Sequence, residues 1–274
     1  MSNRKNMYKN WTKFSVMILA GIAVFTSCQR VIHLKLNSSG SKVVIQAYVT
    51  DQPYIDTVLI TRTGDYFVPG TYPKVNGAIV IVTDNQGTTD TFVQVDSGKY
   101  AATHLSGIPG RTYTLKTIVD GTEYDAVSTM PLPVAIDSVT SNQVGNPPDT
   151  NYHVHCVYID PGATTNYYML QAKVNGVLED SIGQVTLNED KYTNGLPQNT
   201  RLRINNPVTN DSITVYLMSI DANTYSYFSV LRSITGASNP VSTATPQNPP
   251  TNIIGGALGY FSAYSVRSAS IVIP

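Results

Sequence analysis

Short runs of β-branched and aromatic residues recur along this chain, each closed within a few positions by a turn-forming residue. Val43 to Val49 (VVIQAYV), Thr57 to Thr63 (TVLITRT), Ala78 to Thr83 (AIVIVT) and Thr91 to Val95 (TFVQV) are runs of this kind. Such side chains suit the pleated, half-buried surface of a sheet, and Gly, Pro, Asn and Asp interrupt it. Asn85-Gln86-Gly87, Asp96-Ser97-Gly98 and Asp120-Gly121 place glycine where a hairpin needs a positive φ, which glycine adopts without a Cβ clash. Tyr113 to Val119 and Glu123 to Val127 are therefore expected to pair as a hairpin about Asp120-Gly121.

The same rhythm continues in the second half. Tyr152 to Asp160 alternates as a strand, Tyr167 to Val174 leads into a hairpin at Asn175-Gly176, and Ser212 to Ile220 and Gly259 to Ile273 return to strand patterning. One segment changes period. Asp221 is a good N-cap, Tyr227, Leu231 and Ile234 follow at i, i+4 and i+7 with Phe228 beside them, and Gly236 is suited to end the helix. The prolines of Met130-Pro131-Leu132-Pro133 cannot donate to a central ladder, so this stretch marks an edge or a link. Asn146 to Asp149 and residues 237–252 read as loops. The expected fold is mainly β, with two β-sandwich domains at 42–135 and 136–274 and one short helix near 222–235 in the second.

The N-terminus bears on location. Arg4, Lys5, Lys9 and Lys13 come without an acid, followed by an apolar run from Phe14 to Phe25 (FSVMILAGIAVF). Crossing a bilayer takes roughly 20 apolar residues. This run is shorter and fits a secretory signal. Phe25-Thr26-Ser27-Cys28 resembles a bacterial lipobox, although Phe replaces the commoner Leu at its first position. The expectation is a signal over 1–27, a lipidated Cys28 and a polar tether over 28–41. The alternative is a plain signal peptide, with Cys28 a spectator. With Cys28 lipidated, Cys156 has no intramolecular partner, which excludes a disulfide framework. The full chain balances 18 basic against 18 acidic residues; without the four basic residues of the signal the balance is 14 against 18, a net charge of −4. That argues against nucleic acid as a partner.

Few residues offer chemistry. His153 and His155 share one strand face, a spacing that suits a metal pair, but no third ligand is placed by sequence, and two polar residues on a solvated face are the ordinary outcome. Cys156 falls on the opposite face with Val154 and Tyr158, as a buried structural thiol would. Gly255-Gly256-Ala257-Leu258-Gly259 looks like a phosphate-cradling loop but lacks the strand before it, the helix after it and the lysine. Those glycines are expected to permit a bulge or a tight turn into a strand. Asp51, Asp56, Asp65, Asp84, Asp96, Asp120 and Asp160 mostly sit in expected turns, where Asp bonds its local backbone. No GxSxG or HExxH occurs. The reading assigns no catalytic, cofactor-binding or metal-ligating residue and expects no enzyme. Most tyrosines are expected to pack, with Tyr66 and Phe67 in the GDYFVPGTYP loop as contact candidates.

In their order along the chain, several stretches resemble a family of Bacteroidota outer-membrane lipoproteins known as domain of unknown function four-two-four-nine. They are Val43 to Asp51; Asn76-Gly77-Ala78 with Asp84 and Gly87; Ser97 to Tyr100; Pro109 to Tyr113; Ile136 to Ser138; Asp160-Pro161-Gly162 with Asn166 to Tyr168; and Asn252-Ile253 with Gly255 to Phe261. The first half is also similar to transthyretin-like modules of carboxypeptidase regulatory domains. The resemblance implies immunoglobulin- or transthyretin-like sandwiches, an outer-membrane location through diacylglycerol on Cys28, and association with a TonB-dependent receptor. The leading expectation is a non-enzymatic accessory or binding module. A surface glycan- or peptide-binding lipoprotein is the second, and an envelope hydrolase the third.

Overall fold

The computed structural model describes residues 40–53, 56–64, 70–145, 151–235 and 247–274. Alternation decides which side chains turn inward. In β1 (Val43–Thr50), Val43, Ile45, Ala47 and Val49 are buried while Val44, Gln46 and Tyr48 stay at least partly open. Then follow β2 (Thr57–Arg62), β3 (Ile79–Asp84), β4 (Thr89–Asp96), β5 (Lys99–Ala101), β6 (Thr112–Val119) and β7 (Thr122–Thr129). The hairpin about Asp120-Gly121 forms as its sequence implies, with Val119 opposite Thr122 and both turn residues at positive φ, 50° and 79°. β4 turns a corner. Its first residues pair with β3, and from Val93 it pairs with β5 across a register shift between Gln94 and Asp96. One core fills this half, around Ile45, Ile60, Val82, Phe92, Tyr100 and Leu115.

Burying tyrosines requires partners for their hydroxyls. Tyr100 donates to Val75 O at 3.0 Å and accepts from Ala78 N at 2.9 Å. Tyr113 accepts from Ile108 N at 2.6 Å, five residues upstream. Both rings are fully buried, as the packing reading of the tyrosines expects.

Beyond Pro133 come β8 (Ser138–Val144), β9 (Asn151–Ile159), β10 (Tyr167–Val174), β11 (Val177–Leu178), β12 (Thr186–Glu189), β13 (Pro197–Arg201) and β14 (Ser212–Ile220). β13, β9 and β8 form a small sheet. Val154, Cys156 and Tyr158 of β9 share a second core with Tyr168, Leu170, Ile213, Val215 and Leu217 of β10 and β14. The other face of β10 and β14 is covered by α1 (Ala222–Ile234), whose Tyr225 and Phe228 pack with Met169, Met218 and Ile220. Asp221 caps the helix, its Oδ1 accepting from Thr224 N at 2.8 Å. Thr235, with its N–H bonded to Leu231 O, closes the other end.

β15 (Ile253–Ile254) and β16 (Leu258–Val272) end the chain. β16 is 15 residues long, about 50 Å at 3.3 Å per residue. Its first part runs parallel to β1, from Val44 opposite Leu258 to Thr50 opposite Tyr264. Its second part runs antiparallel to β14, from Ser219 opposite Ser265 to Ser212 opposite Val272. Ile253, Ala257, Phe261 and Ala263 therefore join the first core, and Ile273 joins the second. Ser41–Pro274 gathers into one compact unit held by this shared strand. The described residues are mainly β with one helix.

Candidate functional site

Where β1, β16 and α1 meet, the outward residues are aromatic. Alternation puts Tyr260 and Tyr264 on one face of β16, and the register sets Tyr48 of β1 opposite Ser262, between them. Tyr48 and Tyr264 have ring centroids 6.0 Å apart. Tyr260 meets Tyr227 at 4.8 Å and Phe228 at 5.0 Å, both from α1. Farther along the helix, Tyr225 lies 5.1 Å from Tyr167 of β10. Tyr48, Tyr260, Tyr264 and Phe228 are half-buried, and no hydrogen bond among the described residues engages the hydroxyls of Tyr48, Tyr260 or Tyr264. Burial pushes the Tyr260 and Tyr264 hydroxyls above the usual tyrosine range, so they act as neutral groups. Such a face offers flat apolar area with polar tips.

A second cluster lies at the end of β9. Asp160 is 2% exposed, and its carboxylate accepts the Tyr168 hydroxyl and, at 2.8 Å, Gly195 N–H. Asp190, 1% exposed and just past β12, faces it. Burial and the Asp160 carboxylate both push the Asp190 carboxyl up. Two chain segments are drawn together here. Asp190 N–H donates to Asn166 O at 3.3 Å, and the Asn166 amide, turned so that its nitrogen donates, spans Thr164 O at 2.8 Å and Pro161 O at 3.0 Å.

The remaining candidates are placed as follows. His153 and His155 share a face and are half-buried; His155 Nδ1 lies 2.9 Å from Asn199 Oδ1. Desolvation, with Arg201 and His155 nearby, holds the His153 pKa below its ordinary value. No group of three or more His, Cys, Asp or Glu gathers among the described residues. Cys156 is fully buried, and burial pushes its thiol up to about 12, which keeps it un-ionised and inert. The glycines of 255–259 do serve a tight approach to a strand. A Cβ on Gly255 would lie 2.7 Å from Glu123 O, and one on Gly259 would lie 1.9 Å from Ile45 O. Cys28, Tyr66 and Phe67 lie outside the described residues.

The aspartates divide. Asp84 follows the turn expectation, accepting from Gln86 N at 2.9 Å and Thr88 N at 2.8 Å. Burial raises its pKa, but Arg111 and those N–H groups outweigh burial and hold the carboxyl below the usual range. Asp51 and Asp160 depart from it. Asp51 accepts Val266 N–H and pairs with Arg267, and Asp160 reaches Gly195, so both fasten segments remote in sequence. Spacing in the sequence links Asp160 to no acid 30 residues on, so Asp190 is invisible to it. The Tyr260 and Tyr264 face, by contrast, is legible as an alternation within the last strand.

Strands lying under a helix, with an aromatic face outside and fastening carboxylates inside, define a mainly β protein that bears a half-buried face of tyrosines. The profile of the family described as Domain of unknown function (DUF4249) matches residues 30–270, and the chain belongs to that family. No curated protein matches it.

Proposed function

We propose that this is a lipid-anchored cell-envelope protein of the Bacteroidota outer membrane, a non-enzymatic accessory or binding module working beside a TonB-dependent receptor. The observation that carries the binding reading is the half-buried aromatic face of Tyr48, Tyr260, Tyr264 and Phe228, because tyrosine is favoured where apolar area must also meet water and partners. The basic, then apolar N-terminus ending in Phe25-Thr26-Ser27-Cys28 supports the anchor, and two acyl chains on Cys28 are enough for stable attachment. Two distinct cores, the first completed by Ile253, Ala257, Phe261 and Ala263 from the end of the chain, support two sandwich-like halves. The Tyr113 hydroxyl bonded back to Ile108 resembles the tyrosine corner of Greek-key sandwiches, in keeping with an immunoglobulin- or transthyretin-like first half. Tyr66 and Phe67, in the loop at 64–76, and the loop at 237–256 are the further contact candidates that the sequence offers.

The test is co-purification of the tagged full chain from detergent-solubilised outer membrane. A receptor that comes down with the wild type and is lost with Cys28→Ala supports the assignment. Recovery of the chain alone, in a membrane fraction that contains receptors, defeats it. The same aromatic face favours a second reading, a surface glycan- or peptide-binding lipoprotein, since tyrosine rings also stack on sugars. Glycan-array binding without any receptor would select that one.

A further inference from the structure

A buried cation on α1 has no counter-charge among the described residues. Tyr225, Phe228 and Arg232 stand at i, i+3 and i+7, so they share one stripe of the helix. Tyr225 and Phe228 use that stripe to pack on β10 and β14. Arg232 ends it, where an apolar side chain would complete the packing, and is only 9% exposed. Its Nε is shut off from solvent without a hydrogen-bond partner, and it alone of the three nitrogens is so enclosed, which leaves the Nη end facing outward. Arg62, Arg111 and Arg267 pair with aspartates, whereas Arg203 and Arg232 pair with no acid among the described residues. Arg203 is held beside the helix: its N–H donates to Thr186 Oγ1 of β12 at 3.1 Å, and β12 touches α1.

Loss of a proton cannot relieve this charge. Burial, and then the like charge of Arg203, pull the Arg232 pKa below the ordinary arginine value, but a guanidinium keeps its proton inside a protein. The negative end of the helix dipole favours a cation in the last turn, yet that attraction is weak and screened by salt. Sequence narrows the internal supply of an anion. Residues 236–246, which follow the helix, contain no acid, and outside the described residues only Asp65 and Asp149 are acidic. We propose that Arg232 and Arg203, with the Tyr225 hydroxyl, form a binding site for a phosphate-class oxyanion. Guanidinium forks match the oxygens of carboxylate and phosphate alike. The charge decides between the two. A carboxylate neutralises one guanidinium, whereas a phosphate group carries up to about two negative charges at neutral pH and matches both. Free phosphate and a phosphate esterified to a larger ligand present these same oxygens.

The experiment melts the full chain in detergent at pH 7.5, in inorganic phosphate or in acetate of the same ionic strength. Concentrations stay in the millimolar range, because concentrated phosphate stabilises any fold by exclusion from its surface. At a hundredfold excess over Kd, phosphate is expected to raise the melting temperature by about 5–10 °C, and acetate to leave it unchanged. Arg232→Met keeps an apolar stem and removes the charge. It is expected to abolish the rise without lowering the melting temperature in acetate, since the buried charge is unpaired there. Arg203→Ala, at an exposed position, is expected to weaken phosphate binding at least tenfold by calorimetry. Glycerol phosphate distinguishes the sources: tighter binding than inorganic phosphate marks an esterified ligand, and equal or weaker binding marks the free ion. The proposal is overturned if phosphate raises melting no more than acetate does, as an internal pair with Asp65 or Asp149 would cause. It is overturned as well by a rise that survives Arg232→Met. Should that variant not fold, Arg203→Ala decides, and an unchanged phosphate affinity overturns the site.

Discussion

Gly259 of β16 lies against Ile45 of β1 so closely that a Cβ on the glycine would sit 1.9 Å from the Ile45 carbonyl oxygen. Its φ of +103° is one that side chains rarely adopt. This is where the last strand enters the sheet of the first half, so the contact governs whether β16 can join the two cores. Gly259→Ala is expected to destabilise the chain by more than about 3 kcal/mol, from steric displacement and backbone strain together. Gly256→Ala is the control, with a similar φ of +88° but open space around it. It should cost only about 1–2 kcal/mol. Urea denaturation measures both, and equal losses would disprove the close-contact argument.

A second fastening lies at the helix N-terminus. Asp221 Oδ1 caps α1 through Thr224 N, and its Oδ2 accepts the hydroxyl of Ser128, at the end of β7. Ser128 Oγ in turn accepts Ala263 N–H of β16 at 2.8 Å. Asp221→Ala removes the cap and the link, for an expected loss of about 2–3 kcal/mol; the cap alone accounts for about 1. Ser128→Ala keeps the cap but removes the link together with the acceptor of Ala263 N–H. In a double-mutant cycle the two should couple by about 0.5–3 kcal/mol. Additive losses would mean that the two groups act independently.

Asp56 should make stability fall as pH rises. It is 1% exposed, and burial pushes its pKa up to about 7, against hydrogen bonds from Thr50 N–H and Thr50 Oγ that pull it down and with Asp90 and Asp51 adding repulsion. One of its oxygens has no partner among the described residues. Below about pH 4 the carboxyl is protonated in both folded and unfolded chains, and its contribution is fully present. Between pH 4 and 7 the unfolded chain ionises first, so stability is lost, by up to about 4 kcal/mol in total. Asp84 and Asp90 work in the opposite sense, because their folded pKa values are lowered and their stabilisation is lost as pH falls. The difference between wild type and Asp56→Asn, melted at pH 4.5 and pH 8, isolates the Asp56 contribution. Parallel curves would contradict it.

What the sequence reveals of this fold follows the range of the interactions. The β1 alternation, the Asp120-Gly121 hairpin, β14 and the span of α1 are written in neighbouring residues, and the structure agrees with each. β8 (SVTSNQV) and β13 (PQNTR) carry little apolar pattern and are strands because β9 offers both its edges. The parallel pairing of β16 with β1 joins residues more than 200 positions apart, and local propensity has no term for it. The same limit hides the Asp160–Asp190 pair. Both aspartates are ordinary loop residues until the chain brings them together.

The aromatic face separates packing from contact. Tyr260 is wedged between Tyr227 and Phe228, with ring centroids at 4.8 and 5.0 Å, so Tyr260→Ala should cost about 2–4 kcal/mol of stability and says little about binding. Among the described residues Tyr48 has one aromatic neighbour, Tyr264 at 6.0 Å, and its ring stays partly open. Truncating a true contact tyrosine costs about 2 kcal/mol of binding, roughly thirtyfold in affinity. Tyr48→Ala is therefore expected to leave melting nearly unchanged while reducing receptor capture by at least tenfold in the co-purification assay. If capture is unchanged while melting falls, Tyr48 is a packing residue, and the contact surface must lie on another face.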